Sequence, residues 1–286
     1  MSARLIVTAD DFGMSLEVNE AVEEAHRCGI LTCASLVVAG AAAEDAIRRA
    51  KRMPALGVGL HLALFGAPAQ HSGEAHGLLA PDGKNLGERP VSTGIAIMLS
   101  PVARAAARRE IDAQFRAFGQ SGLALGHLDG HWHCHQHPAV LDMALAAGLP
   151  MGLHAVRVPY EGLGWSRRVT GRWRLGARIG HALSHAPLAS FMRHRIKAAG
   201  LRANDWFFAK TDAGSVTTEQ LLGLVRHLPH GVTEVGLHPA TRPWRGIHAP
   251  PADWNPTGEL AALTDRRLRE EIDSRGISLC RWADLP

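Results

Sequence analysis

The residues able to do chemistry fall into four separated groups. Asp10 and Asp11 stand side by side at the end of the apolar run Leu5-Ile6-Val7-Thr8-Ala9. Like charges so placed repel, and burying either one unpaired costs several kcal/mol, so the fold must bring them a partner. A second group is His127-Leu-Asp129-Gly-His131-Trp-His133-Cys-His135, in which every second position is His or Asp. Strand alternation would aim His127, Asp129, His131, His133 and His135 to one side. Five such side chains on one face do not make a core; imidazole and carboxylate at this density are what zinc and similar ions select. The third group is Gly57-Val-Gly-Leu-His61-Leu, where the glycines permit close packing or close approach of a ligand. A single strand histidine is more often a core residue, so His61 alone decides nothing. The fourth is Thr233-Glu234-Val-Gly-Leu-His238-Pro239, a run stopped by proline where His238 would be presented.

These groups need elements to gather them. Three times a helix-like segment ends in Gly and returns as a short apolar run: Glu17 to Cys28 with Gly29, Val140 to Ala147 with Gly148, and Asp265 to Arg275 with Gly276. That is the βα unit, and its recurrence predicts a parallel sheet or barrel. Further strands are expected at Leu5 to Ala9, Val58 to Leu64, Leu123 to Asp129, Trp206 to Lys210 and Val232 to Leu237. The total is about eight, the number of an α/β TIM-like barrel, in which active sites gather at the C-terminal strand ends. A chain of 286 residues, 46% hydrophobic and 20% charged, allows one such domain over 1–286. No apolar run reaches the roughly 18 residues of a bilayer span. Met1-Ser2-Ala3-Arg4 leads straight into the first strand, so no signal peptide is expected and the cytoplasm is the default compartment. Cys28, Cys33, Cys134 and Cys280 form no CxxC pair and read as reduced structural thiols. A net charge of +4 gives no reason to expect nucleic acid.

Two stretches depart from the βα rhythm. Residues 66–94 are rich in Gly, Pro and polar residues and read as a long loop, either a solvated excursion or a substrate lid. From Arg157 to Arg202 ten basic residues face one acid, Glu161, with Trp165, Trp173, Ile179 and Leu183 among the interleaved apolar side chains. This basic helical insertion, about 160–205, suits either a solvated face packed on the barrel or, through 165–195, an anionic membrane surface.

TADDFG with Asn19-Glu20 after it, GLHL, HLDGHWHCH and EVGLHPA, in this order from Leu5 to about Leu285, resemble the YdjC-like carbohydrate deacetylases. The Trp- and Arg-rich insertion is most similar to the hopanoid-biosynthesis branch called HpnK. The resemblance implies a distorted (β/α) barrel, one divalent metal held by Asp11, His61 and His131, and hydrolysis of the N-acetyl group of an amino sugar. Many members of the family that this chain resembles have Ser where Gly130 stands and His where Trp132 stands. Alternation would place Trp132 on the side opposite His131 and His133, where it could alter the sugar pocket.

Amide hydrolysis needs a base for water and an acid for the leaving amine. Asp10 is the expected base and His238 the expected acid. Asp129 is expected to orient a histidine, His133 or His135 to touch sugar or water, and Glu234 to orient a histidine from the face it would share with His238. One carboxylate and two imidazoles accept zinc first, with magnesium, nickel, cobalt or manganese as alternatives. The branch likeness suggests an N-acetylglucosamine unit on a bacteriohopanepolyol, reached by an enzyme peripheral to the inner membrane; a homodimer is allowed for. The rivals are a two-metal phosphoesterase and a metal- or lipid-binding module without catalysis. A glycosidase fits less well, since its carboxylates face each other across the sugar.

Overall fold

The computed structural model describes residues 3–70, 78–170, 174–244 and 249–285. Seven strands are formed among them: β1 (Ala3–Phe12), β2 (Cys33–Leu36), β3 (Gly57–Leu62), β4 (Leu128–Gly130), β5 (Trp206–Phe208), β6 (Gly231–Leu237) and β7 (Ser278–Leu279). They make one sheet in the order β4-β3-β2-β1-β6-β5, with every pair parallel and β7 pairing β1. The longest strand, β1, is the axis of this sheet. It runs beside β6 from Ala3↔Gly231 to Ala9↔Leu237, and its other edge meets β7 at Arg4 and Leu5, then β2 from Thr8 onward. A strand enclosed in this way needs apolar side chains on both faces, which is why Leu5 to Ala9 reads as a continuous run.

Among the described residues ten α-helices connect the strands: α1 (Leu16–Cys28), α2 (Ala43–Lys51), α3 (Pro90–Leu99), α4 (Pro101–Gln120), α5 (Pro138–Gly148), α6 (Leu163–Thr170), α7 (Leu175–Ala198), α8 (Thr218–Arg226), α9 (Pro256–Thr264) and α10 (Arg266–Ser274). The turn that matters most lies between β1 and α1. Ser15 caps α1 by accepting from the Val18 amide, while buried Asn19 accepts from the Gly13 amide and donates to the Ala42 carbonyl. These bonds hold the loop after Asp11 in one conformation.

Among the described residues the sheet is a curled half-barrel, consistent with the distorted barrel expected, and no complete eight-strand ring is closed. The run expected to supply a strand at Met151 to Val158 gives only isolated bridges, Leu128↔Val156 and Ala155↔Arg202, which continue the curl beyond β4. Gly152 in the left-handed region and Pro159 bracket that run and keep it short. Strand alternation likewise stops at Gly130. His131–Gln136 is a 3₁₀ turn with Trp132 at φ 47° and His133 at φ 57°, so the side chains beyond His131 do not share one face. His127 is core: it stacks on Trp282 at 5.3 Å and bonds the Ser35 hydroxyl at 3.1 Å.

The segment expected to be a loop over 66–94 ends earlier, because Pro90 starts α3, and part of it, 71–77, lies outside the described residues. Its ends are tied by the bridges Pro68↔Asn85 and Leu79↔Leu86. The basic insertion folds as α6 and α7, with Arg172 and Trp173 outside the described residues. Much of its charge is internal scaffold. Arg157 and Arg178 are buried, and Arg178 pairs with Glu161 and Asp212; Arg174 bonds the Thr211 carbonyl, Arg193 the Asn204 and Asp205 carbonyls, and Arg195 pairs with Asp142. Among the described residues, no single helix is long and apolar enough to cross a membrane.

One glycine in β3 tests this packing. A Cβ on Gly59 would overlap the His127 ring, which Trp282 and Ser35 hold in place. Gly59→Ala is therefore expected to lower unfolding stability by about 1–3 kcal/mol, the usual cost of overpacking, as read by chemical denaturation. An unchanged midpoint would mean that His127 is free to move aside.

Candidate active site

Adjacent strand residues point to opposite faces, yet Asp10 and Asp11 both line one cavity. The reason is a register slip between β1 and β2 from Ala9 to Phe12, at which Asp11 takes φ 62°. Aspartate tolerates this left-handed conformation better than most residues, because its short side chain can bond locally. The bulge thus turns two neighbouring carboxylates into two environments.

Asp11 joins the histidines. Its Oδ1 lies 2.9 Å from His131 Nδ1 and 3.4 Å from His61 Nε2. Asp11, His61 and His131 offer one ligand atom each, all within 4.8 Å of one another, a carboxylate and two imidazoles suited to a divalent ion. Burial would raise the Asp11 carboxyl, but the charge and hydrogen bond of His131, with His61 and His238, hold it well below the usual range. His61 is oriented from behind: its Nδ1 lies 2.8 Å from Asp129 Oδ1, which favours the proton on Nδ1 and a free lone pair on Nε2 toward Asp11. Burial lowers the His61 pKa, and Asp129, then Asp10 and Asp11, outweigh it and raise it to about 9. A cation belongs in this carboxylate nest, whether a proton or a metal.

Asp10 meets a guanidinium. Arg157, fully buried, donates from Nη1 and Nη2 to Asp10 at 2.7 and 2.8 Å, from Nε to both Glu234 oxygens at 3.0 Å, and lies 2.9 Å from Asp129. One arginine therefore serves three carboxylates, with Thr8 Oγ1 donating to Glu234 at 2.8 Å and Ser35 Oγ to Asp129 at 2.6 Å. Although burial opposes charge in each group, Arg157 is held well above its usual range and Asp129 well below; Glu234 is raised, since there burial wins. A second trio, Asp10, His61 and Asp129, also converges, but the Arg157 charge already sits against both of its carboxylates.

His238 follows β6, its backbone amide held by Glu259 Oε2 at 2.5 Å. Its ring lies 4.5 Å from that of Trp254 and its Nε2 3.9 Å from Asp10 Oδ2. Burial lowers its pKa, against the pull of Asp10 and Asp11. Burial also raises Glu259, to about 8.

Of the remaining expected residues, Asp129 stands behind His61, and Glu234 takes its hydrogen bonds from Arg157 and Thr8. His133 packs edge-on to Phe207, and His135 bonds the Arg157 carbonyl at 3.0 Å with its pKa lowered by burial to about 4; neither lines the cavity. Trp132 does line it, stacked 5.8 Å from His131 and half-exposed, on the same side as that histidine rather than the opposite one.

The cavity is about 230 Å³, with Asp10, Asp11, Glu88, His131 and His238 among its polar groups and Trp132, Trp244 and Trp254 among its apolar walls. Reading the sequence missed Arg157, counted there with the basic insertion. The available signal was its place: a lone charge inside Leu153-His-Ala-Val-Arg157-Val must find a buried partner. Trp244, Trp254 and Glu259 carried no comparable signal.

The family model described as YdjC-like protein matches residues 4–274. The chain belongs to the YdjC-like family. Among its relatives is a protein from Brevibacillus brevis named carbohydrate deacetylase, 41% identical over 285 residues that cover 99% of each chain. A Mus musculus protein of the same name is 33% identical over 303 residues, covering 99% of this chain and 94% of its own. Full-length similarity of this kind supports a hydrolase of amide bonds. A solved structure from Enterococcus faecalis V583, named for cellobiose-phosphate cleavage, superposes with a TM-score of 0.73 over 99% of this chain and 98% of its own; at 23% identity it shares the fold.

The Arg157 cluster sets a stability prediction for the YdjC-like chain. Arg157→Met should cost about 3–5 kcal/mol at neutral pH, because it leaves buried carboxylates uncompensated. Asp129 is depressed in the folded state, so its contribution is present above the usual carboxylate range and lost as pH falls through its folded value. The variant lacks that contribution, and the gap to wild type should narrow as unfolding is measured at progressively lower pH. A gap independent of pH would mean that the cluster is not charged.

Proposed function

We propose that the protein is a carbohydrate N-deacetylase that removes acetate from an N-acetylated amino sugar, with one divalent ion held by Asp11, His61 and His131. The observation that carries this reading is the cavity itself: a carboxylate–imidazole–imidazole trio at its floor, an acid–base pair beside it and tryptophans around it. Relatives named carbohydrate deacetylase support it along the whole chain.

A bound ion supplies a Lewis acid for the acetyl oxygen and makes water a stronger acid. Everything else falls to the chain. Asp10 accepts a proton from the attacking water; the Arg157 fork holds its carboxylate in place, so the base cannot swing away. The water oxygen becomes part of acetate, and one proton must reach the departing nitrogen. His238, whose pKa burial lowers, lies 3.9 Å from Asp10; it takes over the proton that Asp10 has accepted from water and passes it to that nitrogen, which returns Asp10 to its carboxylate form. Trp132 and Trp254 offer flat faces for the C–H side of a sugar ring.

The likeness to the hopanoid branch favours N-acetylglucosamine carried on a bacteriohopanepolyol and work beside the inner membrane, while a carboxylate with two imidazoles favours zinc as the ion. A phosphoesterase using two metals would need the second trio, where Arg157 supplies the positive charge instead.

Acetate release tests the reading, using N-acetylglucosaminyl bacteriohopanetetrol, chitobiose and free N-acetylglucosamine, with ions returned singly to stripped protein. Asp11→Ala should lose metal and turnover together. Asp10→Asn should keep its metal content and lose about 10²–10⁴ of the rate. Near wild-type turnover by Asp10→Asn with metal present would remove Asp10 as the base. Trp132→Ala should raise KM with little change in kcat; an equal fall in kcat and kcat/KM would assign Trp132 to the transition state instead.

A further inference from the structure

The side of α3 turned away from α4 is apolar. Val91, Ile95, Met98 and Leu99 recur at helical spacing, and Val102 continues the stripe onto α4 across a bend of 110°. Val91 and Leu99 are each 75% exposed and Val102 is 67% exposed, whereas Ile97 is the only side chain α3 buries fully. Large apolar side chains scattered singly on a surface mean little, but five along one corner mark a contact surface.

Two features say what kind of contact. Between Glu88 and Glu110 the ionisable side chains are Arg89, Arg104, Arg108 and Arg109; Arg108 pairs with Asp112 at 3.0 Å, so the exposed positive charge beside the apolar stripe is that of Arg89 and Arg104. Arg104 also folds back over the end of α3, its Nε donating to the Ile97 carbonyl at 3.1 Å and its Nη2 to the Met98 carbonyl at 2.5 Å. Those are carbonyls a helix end leaves open, and their satisfaction lets the tip enter a medium poor in hydrogen-bond donors. An apolar crown with satisfied backbone and cationic flanks complements the interface of an anionic bilayer.

We propose that the α3–α4 corner docks the protein onto an anionic lipid bilayer, with Val91, Ile95, Met98, Leu99 and Val102 entering the headgroup boundary. The inference deepens the glycolipid reading and rests on it only for the use of such docking. Its position suits that use: Glu88, two residues before α3, lines the cavity that holds Asp11 and His238. With α3 ten residues long and bent by 110° against α4, the helix is too short to span by itself and the corner is shaped to lie in the interface.

Sedimentation of the full chain with vesicles of phosphatidylethanolamine and phosphatidylglycerol, against phosphatidylcholine alone, tests the corner directly. Wild type should bind the anionic vesicles, less so as salt rises. Leu99→Ser with Val102→Ser should weaken binding about tenfold or more, the effect of removing two apolar anchors. Ile179→Ser with Leu183→Ser, in the basic insertion, should bind as wild type. Acetate release from soluble chitobiose, read on the same samples, should be unaltered by either pair. Wild type that ignores anionic vesicles, a corner variant that binds undiminished, or a dimer in solution that the corner variant dissociates would each overturn the proposal, the last by making the occupant a second copy. Vesicle binding without acetate release would strike the proposed function and leave the docking standing.

Discussion

One guanidinium holds three carboxylates apart in the middle of this sheet. Arg157 reaches Asp10 from β1, Asp129 from β4 and Glu234 from β6, strands that are distant in sequence and that only this cation could bring so near without repulsion. The arrangement is costly to assemble, because four charged groups leave water together. What it gives in return is geometry. Asp129, fixed by Arg157 and Ser35, sets the ring of His61; Asp10, fixed by the fork, faces His238; and the bulge beyond Asp10 frees Asp11 to meet His61 and His131. The cavity's polar groups are thus positioned from below by residues that do not all line it.

Much of this plan was legible in the residue order, and the boundary of legibility has a physical cause. Apolar runs ending in Asp10-Asp11, His61 and His238 mark strand ends, since a buried parallel strand must be apolar throughout and can turn polar only where it emerges. Local backbone departures left no comparable mark. The 3₁₀ turn after Gly130 keeps the His-x-His spacing of a strand while sending His131 to the cavity and His135 to the Arg157 carbonyl. The bulge at Asp11 breaks alternation within an unbroken apolar-to-acidic run. Charge misleads in the same way: in a composition count Arg157 and Arg178 look like a basic surface, whereas both are buried ion-pair centres whose partners come from other segments.

The arginine also separates two chemistries that share histidine and aspartate at strand ends. Two-metal sites place ions about 3.5–4 Å apart, each with its own carboxylates. Here the second trio, Asp10 with His61 and Asp129, is spanned by a permanent cation, because a guanidinium does not deprotonate in proteins. Of the two trios found among the described residues, the one with Asp11 is the one left for an ion. In the proposed reading one ion would sit beside Asp10 and His238 between aromatic walls, an arrangement that suits hydrolysis of a sugar amide.

The central claim is therefore a count. Metal-stripped protein should be titrated with zinc while bound metal per chain and acetate release are followed together. The account predicts that both saturate at one equivalent. Activity that appears only with the second equivalent would contradict it, since the place of a second ion would then not belong to Arg157.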